Sequence, residues 1–234
     1  MARKTASKPD TIVNAPRFEA STNGKEEPRQ SVVIKPLRER FISMRIVGTA
    51  PYMQMRFSKK AAETMRATQE AGQQAKAKKK REARNFPDDF KGAQYFFDDG
   101  SNGIPATAFR QAIISSCRLV GFKMTIMKQA VFVISDGADV LDGTPLVKIT
   151  GKPIMDIRPG RNANGGTDLR CRPLWKEWSA TVQIRFDEVQ FSASDIVNLM
   201  VRVGKQVGIG EGRPDSKMSS GIGFGLFDVE PTDE

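Results

Sequence analysis

Apolar and polar residues alternate along "FISMRIVG" at 41–48, so Ile42, Met44 and Ile46 share one face while Ser43 and Arg45 share the other. A period of two with one apolar face is the pattern of a half-buried strand. The pattern is clearest in "SATVQIRFD" at 179–187, where Ala180, Val182, Ile184 and Phe186 oppose Thr181, Gln183 and Arg185. "AVFVIS" (130–135) and "PLVKIT" (145–150) are short apolar runs joined by "DGADVLDGT", which predicts a hairpin or two neighbouring strands. A period near 3.6 replaces this in "IPATAFRQAIISSCRLVG" (104–121), with Phe109, Ala112, Ile113, Ser116, Cys117 and Val120 on one stripe. The second helix is predicted over 192–207, with Ser192 as N-cap, Asp195 three residues on, and a buried stripe of Ile196, Leu199, Met200, Val203 and Val207. "FGLFDVE" closes the chain as a last strand.

Two stretches interrupt these elements. Residues 58–84 are rich in Ala, Glu, Gln and Lys and so are helix-prone, but they lack a continuous apolar stripe. "RPGRNANGGTDLRCRPLW" reads as a loop from its Gly, Asn and Pro content. The order is strand, helix, strand, strand, helix, strand. It predicts an α+β, ferredoxin-like (RRM-like) sheet with both helices on one face. The domain spans 41–230, with insertions at about 52–103 and 152–177, an extended N-terminal arm at 1–40 and a short tail at 231–234. The alternation leaves Arg45 and Arg185 on the face opposite the helices.

Composition narrows the chemistry. The 37 Lys and Arg outnumber the 27 Asp and Glu, a formal charge of +10 that attracts polyanions such as nucleic acid. Histidine is absent, which removes His-based acid–base catalysis and His-containing zinc sites. Two cysteines, Cys117 and Cys171, do not make a disulfide framework. With no long apolar run and no apolar core near the N-terminus, a cytoplasmic protein without membrane contact is expected. The positive charge is concentrated. Lys76, Lys78, Lys79, Lys80, Arg81 and Arg84 fall within nine positions, and Arg158, Arg161, Arg170 and Arg172 precede Trp175. The first cluster suits a phosphate-gripping arm. In the second, Trp175 suits either base stacking or a cap on the core.

Six glycines stand in "GIGEGRPDSKMSSGIGFGLF" (208–227), directly after the second helix. A dinucleotide-binding fingerprint needs its glycines between a strand and a helix, and a Walker loop needs GxxxxGK[ST]. This stretch has the reverse context and lacks that string. It resembles the glycine-rich loop between the last helix and last strand of the RAMP superfamily of CRISPR RNA-binding proteins. "GIPATAFRQAIISSCR" is similar to the first-helix signature of the backbone-forming branch of that family, and contains Arg110.

The resemblance implies a non-catalytic, largely sequence-independent binder of single-stranded nucleic acid, RNA rather than DNA, that assembles side by side with copies of itself and needs no cofactor. It implies contacts from Gly210, Gly212, Gly221 and Gly223, with Arg213 and Lys217 adding charge. Two other readings stay open. One is a phage or mobile-element assembly protein. The other is a metal-dependent nuclease using Asp98 and Asp99, or Asp136 and Asp139, as Mg²⁺ ligands.

Overall fold

The alternating stretch at the start of the predicted domain forms β1 (Glu39–Gly48). In this computed structural model the described residues are 36–57, 59–70, 72, 84–161, 166–216 and 221–230. After β1 come β2 (Tyr52–Met53), α1 (Lys59–Glu70), α2 (Phe86–Gly92), β3 (Gly103–Pro105), α3 (Ala106–Ser116), α4 (Met124–Ala130), β4 (Val131–Ile134) and β5 (Gly137–Ala138). The remainder comprises β6 (Pro145–Thr150), β7 (Ile154–Arg161), β8 (Thr167–Trp175), β9 (Ser179–Asp187), α5 (Ala193–Arg202) and β10 (Phe227–Glu230). The fold is α+β with antiparallel sheets. No helix among the described residues is long and apolar enough to cross a membrane.

The main sheet runs β10–β1–β9, and the far edge of β9 is shared. Phe186 to Gln183 pair with β4, and Ala180 and Ser179 pair with β6, which carries β3 on its other side. The two short apolar runs are therefore neighbours along one strand, and β5 joins them by pairing with the start of β6. Met44, Ile46, Val182, Ile184 and Phe186 bury one sheet face against Phe109 and Ile113 of α3, Cys117 just after it, and Ile196 and Met200 of α5. α3 and α5 also touch each other, so both lie on that face. Each large side chain fully buried here contributes about 1.5–3 kcal/mol of transfer free energy.

The helix ends follow local chemistry. Ser192 and Asp195 form a reciprocal capping box at the start of α5, and Val203–Val207 continue it as a π-helical turn. α3 is shorter than its apolar period suggests. Cys117–Val120 tighten into a 3-10 turn, stopped by Gly121 at φ +67°. Three residues per turn instead of 3.6 rotate Val120 off the buried stripe, leaving it 44% exposed.

The stretch expected as a loop after β6 is instead a hairpin. β7 and β8 pair over Ile154–Arg161 and Thr167–Trp175, and β2 joins the free edge of β8 to make a second sheet. Its strands carry half-exposed Ile154, Met155 and Ile157 and place Arg158 directly opposite Arg170, so no single apolar face marks them. A Cβ on Gly160 would stand 2.7 Å from the Arg170 side chain, whose flexible end can move aside.

Candidate nucleic-acid interface

The sheet face opposite the helices carries Phe41, Ser43 and Arg45 from β1, Thr181, Gln183 and Arg185 from β9, and Phe132 and Ile134 from β4. The register aligns three of them in one transverse row, with Phe41 opposite Arg185 and Arg185 opposite Phe132. The Arg185 guanidinium lies 4.8 Å from the Phe132 ring centre. Arg110 reaches the same ring at 5.0 Å from α3, while donating to the carbonyls of Val131 and Lys128. Phe41 is 58% exposed. The arginines here are ion-paired: Arg185 with Glu39 and Arg45 with Glu230, each at 3.0 Å. This face therefore offers flat π and guanidinium surfaces more than uncompensated charge. Phe41 and Phe132 were not among the sequence candidates. Their signal was an aromatic on the polar side of an alternating strand.

A second group gathers around the hairpin. Arg84 bridges Asp89 of α2 and Asp168 of β8 at 3.1 and 3.0 Å, which ties that hairpin to the insertion. Arg158 pairs with Asp156 at 2.6 Å and lies 5.1 Å over the Phe224 ring. Arg172 is 3.8 Å from Glu211, and its Nε is buried with no partner among the described residues. Burial pulls its pKa below the usual arginine value. The hairpin arginines and the glycine stretch, far apart in sequence, thus meet. Arg170 faces Arg158 across the ladder, and Arg161 ends β7. Trp175 has no exposed surface and packs on Tyr52 at 5.4 Å between ring centres. Of its two roles, it fills the core-capping one.

The glycine stretch folds back on itself. Ile209 N–H donates to the Gly225 carbonyl, Gly225 N–H to Pro51, and Glu211 N–H to Met53, which fastens both arms to β2 and the turn before it. Gly225 sits at φ +71°, and a Cβ there would run into the Ile209 carbonyl; one on Gly210, at φ +74°, would run into the Met53 carbonyl. Gly212 is close against Phe224, whereas among the described residues a Cβ on Gly221 meets nothing within 4 Å and one on Gly223 meets only Leu226 at 4.0 Å. The Arg213 guanidinium donates to the Gly210 carbonyl at 2.9 Å, bracing the loop from within. Lys76, Lys78, Lys79, Lys80, Arg81 and Lys217 lie outside the described residues.

Three of the four carboxylates weighed as metal ligands, Asp99, Asp136 and Asp139, are engaged elsewhere. Asp139 is buried and accepts both guanidinium nitrogens of Arg56 (3.2 and 2.7 Å) and the amides of Phe96, Leu141 and Asp142. Asp136 accepts the Lys148 amide, and Asp99 accepts Ser101 and the Lys148 ammonium. Those Ser101 hydrogen bonds, and then Lys148, hold the Asp99 carboxyl well below the usual carboxylate range. Among the described residues no three His, Cys, Asp or Glu side chains come together as a metal site would require. The chain matches no protein-family model and no curated protein sequence.

Proposed function

We propose that this protein is a ferredoxin-like, RAMP-type binder of single-stranded nucleic acid, RNA in preference to DNA, that assembles side by side along the strand. The fold assignment draws support from the antiparallel order β10–β1–β9–β4, with α3 lying between β1 and β4 in the chain and α5 between β9 and β10. The observation that carries the functional reading is the row Phe41–Arg185–Phe132 across the open sheet face. Successive bases stack on aromatic rings and guanidinium planes with little regard to sequence, at about 1–3 kcal/mol per base. Basic residues outside these ion pairs, chiefly Lys76, Lys78, Lys79, Lys80 and Arg81, supply phosphate contacts, which position a strand without reading it.

The test is oligonucleotide binding by fluorescence anisotropy at fixed salt, with single-stranded RNA, single-stranded DNA and duplex compared. Phe41→Ala combined with Phe132→Ala should leave the fold intact and weaken single-strand affinity by tenfold or more, about 1–3 kcal/mol for each stack removed. Equal affinity in the wild type and the double variant would remove the sheet face from the interface. Filaments or rings in electron micrographs of the RNA complex would support the assembly part of the reading.

A further inference from the structure

A cleft of about 300 Å³ opens between α3 and the glycine stretch, floored by β2. The volume is at the low end for small-ligand sites and suits one ring system. Its chemistry is unequal from floor to rim. On the floor the hydroxyl of Tyr52, a residue 1% exposed, accepts the Gln54 side-chain amide at 3.1 Å. The orientation of that amide is determined at both ends. Its nitrogen also donates to the Gly103 carbonyl at 2.8 Å, and its oxygen accepts the Tyr95 amide at 3.2 Å. Gln54 therefore turns its amino group and not its oxygen toward Tyr52, and among the described residues no other group takes the phenol proton. Burial, aided by the Glu211 charge, keeps that phenol protonated far above the usual tyrosine range. Tyr52 is thus a permanent donor on the cleft wall.

At the rim stands the Glu211 carboxylate. Its backbone is pinned to Met53, and among the described residues the cation paired with it, Arg172, is a long 3.8 Å away. Asp215, also lining the cleft, is already neutralised by Arg118 at 2.7 Å. The Glu211 carboxylate disfavours a phosphate, and Arg213 is turned to its own loop. A deep donor beside a loosely held acceptor, between the apolar surfaces of Ala108 and Ile209, matches a flat neutral heterocycle with adjacent acceptor and amino groups. We propose that the cleft holds one nucleobase by its amino edge. Tyr52 donates to a ring nitrogen or carbonyl oxygen, and Glu211 accepts from the exocyclic amino group, as carboxylates accept from cytosine N4. This site rests on the nucleic-acid reading above and adds base preference at one position of an otherwise sequence-tolerant strand.

The probes are cytidine 5′-monophosphate, with ribose 5-phosphate as the base-free control, titrated into ¹⁵N-labelled protein. The nucleotide should shift the Gly210 and Glu211 amides and ribose 5-phosphate should not. Tyr52→Phe and Glu211→Gln, checked for folding by thermal melting, should each weaken the nucleotide by about tenfold. Equal shifts from ribose 5-phosphate, or unchanged nucleotide affinity in both variants, would overturn the proposal even if oligonucleotides still bound. Nucleotide binding in the cleft without oligonucleotide binding would uphold the site and sink the wider reading. Absence of both would sink both.

Discussion

At the residue scale, the polar groups most consequential for stability are those that the tertiary contacts bury. Arg56 and Asp139 have 6% and 0% of their side chains exposed, and join the stretch after β2 to the turn after β5. Removing Asp139 leaves the buried Arg56 only the half-exposed Asp142 as a partner, at 2.8 Å, and strips the amides of Phe96, Leu141 and Asp142 of their acceptor. Asp139→Ala should therefore lose about 3–5 kcal/mol in urea unfolding, far more than a surface pair would. The glycines give a graded test. Gly225→Ala must break or shift the packing against Ile209, so its melting temperature should fall sharply and its expression with it. Gly221→Ala meets no atom of the described residues within 4 Å and should carry the left-handed backbone cost of about 1–2 kcal/mol. Equal destabilisation in the two variants would show that loop packing is not what requires Gly225.

At the element scale, the β5–β6 turn is an acid-sensitive clip. Burial, the largest influence on Asp142, opposes its ionisation, but hydrogen bonds from the Thr144 hydroxyl and amide and the Arg56 guanidinium outweigh it and bring the pKa to about 2. A carboxyl whose folded pKa lies below its unfolded value near 3.8 contributes stability that is complete above that value. The contribution is lost as pH falls through about 2. The urea midpoint should thus drop between about pH 4 and pH 2, and Asp142→Asn should flatten that part of the profile. An identical slope in the variant would place the acid lability elsewhere. The hairpin illustrates the limits of pattern reading for an element. Its strands are stabilised by ladder hydrogen bonds and by Arg84, Arg158 and Arg172, which hold acidic and aromatic groups from other segments. Opposed arginines and half-exposed apolar residues do not produce the alternation that made β1 and β9 legible.

At the scale of the whole molecule, charge and stacking make separable contributions. Replacing Lys78, Lys79, Lys80 and Arg81 by Ala should flatten the slope of log K against log salt by up to about 3 on single strands, at roughly 0.7 for each phosphate no longer neutralised. An unchanged slope would remove that arm from the interface, with the sheet row tested separately by the phenylalanine variants. Much of the framework was readable beforehand. The buried faces of β1 and β9, the stripe of α5 and its capping box follow from side-chain period and local hydrogen bonding, both set by residues within a few positions of one another. The amino-acid sequence by itself thus determined which residues turn inward, where α5 begins, and the excess of positive charge. Tertiary structure alone decided that Trp175 is enclosed, that Asp139 serves Arg56, that Gly210 and Gly225 are required by close packing, and that Phe41, Arg185 and Phe132 form one row. Those outcomes depend on segments far apart in sequence being brought to within a van der Waals or hydrogen-bond distance, and no local period encodes which segments will meet.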